Sequence, residues 1–535
     1  MANILSGPPF LNEWNYKSMA EFLYEKITLH ASSTALISME TKEELSYKEF
    51  LEKSLKLSVA LEKMGLKVND KIGICSENNL NFCIALLASI FLGVTICPLN
   101  PAYTEQEFIH VLKISKPKYI FVSTIIVEKM MNVVDKLSWS PKLILLNDKS
   151  DNFKILRISN LIANITNVDV KNFQFPIINK NEHILLIACS SGTTGLPKGV
   201  MLSDKNFLIQ LQYYVEDRFP FFQNAGSFLG LLPMFHGYGF FIFLVSLTFG
   251  NKIIVMSRFD ERLFLQAVQD YRIKTLPLVP PLLVFLAKSP IVDEFDLSCV
   301  KQISCGAAPV SENIKEAVQK KFKLPFIRNG YGLTETTVSL MNSCNELKSE
   351  SVGILRPGLK AKVISIDGNS NEPLGPNREG ELCFKGEIIM KGYYGDEKAT
   401  RAAIDEDGFL HTGDVGYYDE DGCFFIVDRV KELIKYKGFQ VPPAELEAIL
   451  LTHPAIKDAA VIGMPDEVAG ELPLAFVVKQ SGVNVSPREI IQYVNERVSS
   501  HKRLRAGVRF IEAIPKNPSG KILRRELRNI LKSKI

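Results

Sequence analysis

Apolar runs of strand length alternate with amphipathic helical stretches from about residue 45 to about residue 340. The runs at 70–79, 117–123, 141–148 and 251–257 have the continuous hydrophobicity of strands that are buried on both faces. Helical patterns, such as the one at 262–273, lie between them. Because strands that alternate with helices form mainly parallel sheets covered on both sides, this region predicts a doubly wound α/β architecture.

The pattern changes after about residue 350 and again near residue 428. Short strand-like runs broken by Gly and Asp, such as 380–386 and 422–428, predict a compact β region. Pro442 and Pro443 then suit the start of a helix, and strand and helix patterns follow to the C-terminus. We predict a large domain, residues 1–428, with α/β subdomains to about residue 350 and a β region after it, and a small, mobile α+β lid domain, residues 429–535.

Composition excludes several classes of protein. The 535 residues carry a net charge of only +4, which gives no reason to expect nucleic-acid binding. The most apolar stretch, 83–97, is shorter than the ~20 residues that span a bilayer, so we predict buried elements there and no transmembrane segment. The nine cysteines and seven histidines are dispersed, which predicts free thiols in a reducing compartment and no metal-ligand cluster.

The most informative short segment is 190–199, Ser-Ser-Gly-Thr-Thr-Gly-Leu-Pro-Lys-Gly, which directly follows the apolar run 184–189. It does not fit the Walker A pattern, but its chemistry is related. Glycines let backbone amides converge on an anion, while hydroxyls and a lysine add donors and charge. Taken alone, the segment is also compatible with a mobile surface loop. The strand before it favours a binding loop, because ligands prefer the carboxyl ends of such strands.

Four motifs, in this order and approximate spacing, resemble the adenylate-forming superfamily of acyl-CoA synthetases, 4-coumarate–CoA ligases, peptide-synthetase adenylation domains and beetle luciferases. They lie at 190–199, 331–337, 408–447 and 515–527, and the resemblance extends from about residue 10 to residue 535. Within the superfamily, the segments 437–454 and 469–478 look most like luciferases and their insect acyl-CoA synthetase relatives.

The resemblance implies a reaction in two halves. A carboxylic acid attacks the α-phosphorus of ATP, with Mg²⁺, to form an acyl-adenylate and release pyrophosphate. The thiol of coenzyme A then displaces AMP, whereas luciferases use O₂ instead. A small-molecule carboxylic acid is therefore the implied substrate.

The resemblance also implies a set of nucleotide-binding residues. The implied set is Ser190, Ser191, Gly192, Thr193, Thr194, Gly195 and Lys198 at the phosphates, Gly306, Ala307, Ala308, Asn329, Gly330, Tyr331 and Gly332 at the adenine, and Asp414 and Arg429 at the ribose. Glu335 matches the residue that positions Mg²⁺, and Thr334 supplies a hydroxyl at the α-phosphate. In isolation, this Thr-Glu pair is also typical of a helix N-cap.

Lys521 matches the family lysine that bridges the attacking carboxylate and the α-phosphate, and is the implied catalytic residue. A solvated lysine in a basic tail is the alternative. Because Lys521 belongs to the predicted small domain, the site must close across the boundary at Asp428–Arg429, the predicted hinge. A later rotation would bring Lys435, Lys437 and Gly438 to the site. Lys435 matches the lysine that luciferases use for oxidation; in a synthetase it lines the site or faces solvent.

The acyl pocket is implied by the segment 233–244, in which His236 gates the pocket and glycines at 237 and 239 permit close approach. Its aromatic and aliphatic side chains favour an apolar acid, either a fatty acid or an arylpropenoate. Beetle luciferases usually carry serine where this chain has Val338 and histidine where it has Phe235. These departures favour an acyl-CoA synthetase over a luciferase, and neither the acid's identity and chain length nor the oligomeric state follows from the sequence.

Two further alternatives complete the interpretation. A catalytically inactive nucleotide-binding module is disfavoured by the intact Lys198, Glu335, Asp414 and Lys521. The last three residues, Ser533, Lys534 and Ile535, approximate the Ser-Lys-Leu address read by the peroxisomal import receptor. We therefore expect a peroxisomal protein and otherwise a cytoplasmic one, although a frayed basic terminus would look the same.

Overall fold

The fold is that of a computed structural model of the chain. The structure describes residues 3–147, 155–190, 197–216, 221–223, 225–308, 310, 312–342, 348, 350–366, 372–430, 432–437, 439–466, 468–517 and 520–532.

Strands occur throughout the described residues. They are Leu5–Ser6 (β1), Thr34–Ser38 (β2), Glu44–Ser46 (β3), Lys71–Cys75 (β4), Thr95–Leu99 (β5), Tyr119–Val122 (β6), Lys142–Leu145 (β7), Leu156–Arg157 (β8), Ile184–Ser190 (β9), Lys198–Ser203 (β10), Ser227–Gly230 (β11), Lys252–Val255 (β12), Thr275–Leu278 (β13), Gln302–Cys305 (β14), Arg328–Tyr331 (β15), Met341–Asn342 (β16), Ile354–Leu355 (β17), Lys360–Ile364 (β18), Gly380–Lys385 (β19), Gly392–Tyr393 (β20), Leu410–Tyr418 (β21), Phe424–Arg429 (β22), Ile434–Tyr436 (β23), Phe439–Val441 (β24), Ile456–Asp466 (β25), Gly470–Lys479 (β26) and Gly507–Phe510 (β27).

Helices separate many of these strands. They are Met19–Leu29 (α1), Tyr47–Lys63 (α2), Leu80–Leu92 (α3), Glu105–Ser115 (α4), Val127–Val134 (α5), Ile158–Ala163 (α6), Asn167–Asn172 (α7), Asp204–Val215 (α8), Gly237–Thr248 (α9), Glu261–Asp270 (α10), Pro280–Lys288 (α11), Glu312–Phe322 (α12), Glu397–Ala403 (α13), Pro443–Leu451 (α14), Pro487–Asn495 (α15) and Arg524–Lys532 (α16), with short 3₁₀ turns at Pro290–Glu294, Thr334–Thr336 and Ser500–Lys502.

The predicted α/β region contains an eight-stranded sheet of order β20-β10-β9-β5-β4-β6-β7-β8. Its strands β4, β5, β6, β7 and β8 pair in parallel, as the alternating pattern predicts. The apolar stretch 83–97 forms most of α3 and the start of β5, both of them buried in the core. Within the described chain, no helix is long and apolar enough to cross a membrane.

The motif at 190–199 connects strands in a way that the sequence pattern did not indicate. Strands β9 and β10 are antiparallel, and Ser190 lies directly opposite Lys198. The segment therefore joins two adjacent strands of one hairpin rather than a strand and a helix. The register brings both ends of the motif to the same edge of the sheet.

Two further mixed sheets complete the α/β region. One has the order β11-β12-β2-β3, and the other has the order β13-β14-β15-β16-β17. Strands β13, β14 and β15 are parallel, so the residues that follow β14 and those that end β15 lie side by side. This places the segments at 306–308 and 329–332 at the carboxyl edge of the sheet, where ligands of α/β proteins bind.

The predicted β region is an antiparallel sheet of order β1-β18-β19-β21-β22, and it includes the N-terminal strand. After residue 430, strands β23 to β27 form another sheet with α14, α15 and α16 around it. The buried apolar residues of this last part form their own clusters, which contain no residue before Ile434. The boundary at Asp428–Arg429 stays a prediction, and the names large and small domain are kept for its two sides.

Candidate active site

A cavity of about 680 Å³ lies where the large domain meets the loop before α16. Arg429, Asn517 and Lys521 line it from the small domain. The predicted site residues that line it are Ser190, Lys198, His236, Gly306, Ala307, Asn329, Gly330, Gly332, Thr334, Glu335, Arg429 and Lys521. Side chains spread over more than 300 positions of the chain therefore meet around one space.

Several other predicted residues lie elsewhere. Ser191, Gly192, Thr193, Thr194, Gly195 and Gly438 are outside the described residues, as are Ser533, Lys534 and Ile535. Ala308 is half-buried and does not line the cavity. Lys435 and Lys437 are exposed on and after β23, away from the cavity. A role for these two lysines at the site requires the domain rotation that the family resemblance implies.

The part of the cavity that the resemblance assigns to adenine is formed by strand ends with small residues. Cys305 at the end of β14 pairs with Asn329 of β15, and Gly306 follows immediately. A β-carbon built on Gly306 would have no neighbour nearer than 3.7 Å, and one on Gly330 none nearer than 3.9 Å. The backbone is therefore open to the cavity at both positions, as contact with a flat base requires.

Asp414 and Arg429 face each other across the antiparallel strands β21 and β22. Arg429 Nε donates to Asp414 Oδ1 at 2.8 Å, and the Tyr331 hydroxyl donates to Oδ2 at 2.7 Å. Burial raises the pKa of the Asp414 carboxyl, while Arg429 and the Tyr331 hydrogen bond oppose that shift. The Tyr331 hydroxyl thus orients the predicted ribose ligand, although neither Tyr331 nor Asp414 itself lines the cavity.

Glu335 lies on a 3₁₀ turn at the cavity wall and is coupled to Lys198 through an aromatic ring. The Tyr393 hydroxyl donates to Glu335 Oε1 at 3.0 Å, and Lys198 Nζ lies 4.8 Å from the centre of the same ring. No described residue donates a hydrogen bond to the second carboxylate oxygen of Glu335. Tyr393 was missed in the sequence, because β20, on which it lies, is only two residues long and pairs with β10 from a distance of nearly 200 residues.

Lys521 reaches the cavity from a tight turn of the small domain. The Lys521 backbone amide donates to Asn517 Oδ1 at 2.8 Å, and the Asn517 amide donates to the Lys521 carbonyl at 2.9 Å. Gly520 has a φ of 82° and lies so close to Pro281 of α11 that a β-carbon would be 2.7 Å from the Pro281 ring. Only glycine suits both conditions, so the Gly-Lys pair allows the small domain to approach the large one at this point.

The pKa of Lys521 is lowered to about 8 by burial and then by the nearby Arg429, and the attraction of Asp414 opposes both. The pKa of His236 is also lowered, chiefly by burial and then by Lys521. His236 is therefore a neutral imidazole near neutral pH. It caps the start of α9, where its Nδ1 accepts from the Tyr238 amide at 3.4 Å.

Another part of the cavity has an aromatic and aliphatic wall. Its side chains are Tyr214, Phe221, Phe222, Tyr238, Phe241, Ile242 and Val338. The expectation of close approach at the glycines of α9 is met at Gly239, where a β-carbon would lie 2.2 Å from the Pro233 carbonyl oxygen. One cation, Arg328, also lines this part and stacks on Phe221 and Phe326. Its position outside the segment 233–244 kept it out of the predicted pocket.

The segment after Glu335 has a strained backbone. Thr337 and Val338 have φ values of 49° and 82°, a region that β-branched residues rarely adopt. Buried Gln210 of α8 holds the segment in place, since its Nε2 donates to the carbonyls of Thr336 at 3.3 Å and Ser339 at 2.6 Å. The Arg356 guanidinium donates in turn to the Gln210 side-chain oxygen and to the Tyr214 hydroxyl.

We expect Gln210→Leu to destabilise the protein by about 3 kcal/mol. The change keeps the apolar volume but leaves two buried carbonyls and an arginine each short of a partner, at roughly 1–3 kcal/mol for each such group. The measurement is the free energy of unfolding in denaturant. Gln266→Leu, at an exposed position of α10, is the matched control and should stay within about 0.5 kcal/mol of wild type. Equal stability of the two variants would contradict this role for Gln210.

Two parts of the chain that contribute to the cavity match models of one enzyme family. Residues 23–394 match the AMP-binding enzyme family, and residues 445–521 match the AMP-binding enzyme C-terminal domain. The chain belongs to this family and is an adenylate-forming enzyme.

Its relatives are of both ligase and luciferase type. The chain is 43% identical over 538 residues to a luciferin 4-monooxygenase of Photuris pensylvanica, covering 99% of this chain and 98% of the relative. It is 38% identical over 516 residues to 4-coumarate–CoA ligase 1 of Petroselinum crispum, covering 95% and 93%. A natural red-emitting luciferase from Phrixothrix hirtus has a similar structure, with a TM-score of 0.73, 40% identity and 99% coverage of both chains. The mixed α/β fold in two domains is thus confirmed.

Proposed function

We propose that this protein is an AMP-forming acyl-CoA synthetase that acts on an apolar carboxylic acid, either a fatty or an aryl acid. A carboxylate oxygen attacks the α-phosphorus of ATP, and pyrophosphate leaves. The sulfur of coenzyme A then attacks the acyl carbon, AMP leaves, and the thiol proton passes to solvent. The observation that carries the proposal is that Lys521 enters, from the small domain, the same cavity that Lys198, Glu335 and Arg429 line.

The first half-reaction brings one anion onto another. Two unit charges about 4 Å apart repel by roughly 4 kcal/mol at an effective dielectric constant of 20. Lys198 and Lys521 offset that repulsion from two sides of the cavity. The hydroxyl of Thr334 and the open backbone around Gly306 and Gly330 add donors and space for the nucleotide.

The donor set at Glu335 fits Mg²⁺. A carboxylate with one oxygen bonded to Tyr393 and the other left for other contacts is a hard oxygen ligand, and Mg²⁺ is commonly held by one or two carboxylates together with substrate phosphates. When bound, the ion would neutralise phosphate charge. Tyr393 would hold the carboxylate in position for it.

The rate of adenylation should depend on the charge of Lys521. Its lowered pKa of about 8 means that the cation is present below pH 8 and is lost as the pH rises through that value. We expect kcat/KM for the acid to fall about tenfold per pH unit above the pKa. The measurement is pyrophosphate release at subsaturating acid from about pH 6.5 to about pH 9.5.

Lys521→Arg is the control for this pH profile, because a guanidinium stays charged across the range. We expect a lower rate than that of wild type at every pH, with a profile that is flat where the wild-type profile falls. A wild-type profile as flat as that of Lys521→Arg would argue against Lys521 as the titrating group.

The aromatic wall supports an apolar acyl group. Apolar contact in this part of the cavity comes from Phe221, Phe222, Phe241 and Ile242. Such a wall favours apolar ligands, because binding removes their apolar surface from water. The decisive experiment is a panel of saturated fatty acids and cinnamic acids, scored by acyl-CoA formation. Formation of acyl-CoA from none of these acids, with pyrophosphate release by none, would refute the proposal.

A luciferase-type monooxygenase is the second candidate, favoured by 43% identity to a luciferin 4-monooxygenase. Against it stands Val338 at the acyl end of the cavity, where beetle luciferases usually carry serine. In this case O₂ would replace coenzyme A in the second half-reaction, and Lys435 would act after rotation about Asp428–Arg429. The two candidates are separated by measuring, with the same acid, both the consumption of coenzyme A and the emission of light.

We also propose import into peroxisomes through Ser533, Lys534 and Ile535, with the cytoplasm as the alternative. A fluorescent fusion that keeps the native C-terminus should collect in peroxisomes, and the same fusion without the last three residues should not. Identical distribution of the two would refute this address.

A further inference from the structure

Strands β19 and β21 bring together three groups that the sequence separates. Cys383 pairs directly with His411 across the two strands, and Glu381 lies two residues before Cys383 on β19. Cys383 Sγ is 3.6 Å from His411 Nδ1, and His411 Nδ1 is 3.0 Å from Glu381 Oε2. All three ligand atoms lie within 4.8 Å of one another. The dispersed Cys and His residues predicted no such cluster, because cross-strand register is not visible in sequence spacing.

We propose that Glu381, Cys383 and His411 form a binding site for a thiophilic divalent cation, Zn²⁺ or Cd²⁺, and that an ion bound there inhibits the enzyme. Thiolate, imidazole and carboxylate together are a donor set that Zn²⁺ prefers. With Zn–S near 2.3 Å and Zn–N near 2.05 Å, adjacent ligand atoms of a tetrahedral site are about 3.5 Å apart. The observed 3.6 Å and 3.0 Å are close to that spacing, so small side-chain shifts suffice.

The surroundings of His411 resemble those of metal-binding histidines. Its other ring nitrogen, Nε2, lies 3.5 Å from Asp405 Oδ2. Asp405 is itself fixed, because Lys362 Nζ donates to Oδ2 at 2.8 Å and the Phe409 amide donates to Oδ1 at 2.7 Å. Metal-binding histidines usually direct the second nitrogen to such a carboxylate, which orients the ring. Asp405 therefore serves as the partner that aims Nδ1 at the ion.

An ion can reach the site from the cavity. Glu381 and His411 line the cavity, whereas the buried Cys383 lies behind them. The fourth coordination position then faces the cavity and can take water. The thiolate and the carboxylate together balance the charge of a divalent ion.

We expect inhibition because, in the metal-free protein, residues of this site make hydrogen bonds to the backbone next to Asp414. Glu381 Oε1 accepts from the Gly413 amide at 2.9 Å, and Thr412 Oγ1 accepts from the Asp414 amide at 3.0 Å. An ion that takes the Glu381 carboxylate as a ligand competes with the Gly413 amide for it, and so weakens the contact that holds the backbone next to Asp414. The predicted ribose ligand then no longer meets the nucleotide correctly. This functional step rests on the proposed adenylation reaction, but binding of the ion does not.

The binding test is a Cd²⁺ titration of the purified, chelator-treated full chain, followed by the ultraviolet charge-transfer absorption of the cadmium–thiolate bond. We expect one ion per chain for wild type and for Cys423→Ser, which removes a different buried thiol. Cys383→Ser should abolish that band, and His411→Gln should weaken binding roughly tenfold or more. An unchanged band in Cys383→Ser, or equal affinity in wild type and His411→Gln, overturns the site. Thermal unfolding of each metal-free variant verifies that it is folded.

The inhibition test measures pyrophosphate release in excess Mg²⁺ with added Zn²⁺. Cys383 does not line the cavity, so Cys383→Ser should keep the basal rate and need roughly tenfold more Zn²⁺ for half-inhibition than wild type or Cys423→Ser. Equal sensitivity of all three proteins overturns the inhibitory role. If no acid supports pyrophosphate release even without Zn²⁺, it is the proposed function that fails, and the cadmium titration still decides the site.

Discussion

Lys521→Ala lowers the rate of acyl-adenylate formation by about 10²–10³, the loss expected when one positioned charge contact to the transition state is removed. Lys521 and Asn517 line the cavity from the loop before α16, and Lys521 lies within the electrostatic reach of Arg429 and Asp414. Without its ammonium group, the described residues of the loop before α16 bring no cation to the cavity, and less positive charge offsets the charge that develops between the carboxylate and the α-phosphate. The measurement is single-turnover pyrophosphate release at saturating ATP and acid.

Two comparisons isolate this effect. Lys457→Ala changes an exposed lysine of the small domain and should leave the rate unchanged. A preformed acyl-adenylate given to Lys521→Ala should still yield acyl-CoA at near the wild-type rate, because the phosphoryl step has been bypassed. If Lys521→Ala adenylates as fast as Lys457→Ala, the assignment of Lys521 is wrong.

Asp414→Ala raises the KM for ATP by about tenfold to a hundredfold. The carboxylate is 4% exposed and is held by Arg429 and the Tyr331 hydroxyl, so it is preorganised to accept hydrogen bonds from the ribose hydroxyls. A hydrogen bond to a charged group contributes about 1.5–3 kcal/mol, which corresponds to this range. The measurement is the ATP dependence of pyrophosphate release, together with equilibrium binding of ATP.

Stability must be separated from binding here, because Asp414→Ala also leaves Arg429 and Tyr331 without their partner. Asp414→Asn keeps one oxygen acceptor and should bind ATP more tightly than the alanine variant. Asp407→Ala, which changes an exposed carboxylate before β21, is the control for charge alone. A KM for ATP in Asp414→Ala that equals that of Asp407→Ala would remove Asp414 from the nucleotide site.

The sequence pattern was sufficient to predict those strands and helices whose signal lies within one segment of the chain. The runs at 70–79, 117–123 and 141–148 are confirmed as β4, β6 and β7, and the run at 251–257 as β12. Each is a short apolar segment bounded by polar residues. The hydrophobicity of such a segment is by itself sufficient to predict a buried strand. The helix predicted at 262–273 is likewise confirmed as α10, which begins earlier because Asp260 caps it.

Sequence pattern did not predict features that depend on contacts between segments far apart in the chain. The hairpin between β9 and β10 follows from their antiparallel pairing, not from the composition of the loop. Gln210 looks like any polar residue of an amphipathic helix, and its two carbonyl partners lie 126 and 129 residues away. Tyr393 and Arg328 were missed for the same reason, since neither belongs to a motif that is recognisable on its own.

The sequence by itself determined the strand and helix elements and, through four motifs, the family and the chemical types of the site residues. Local hydrophobic periodicity and short-range spacing are sufficient for these because they are set within one segment. Only the tertiary structure decided that Lys521 shares a cavity with Lys198, that Tyr331 orients Asp414, and that Cys383 meets His411 and Glu381. These contacts depend on strand register and on the docking of two domains, which arise from packing between segments far apart in the chain.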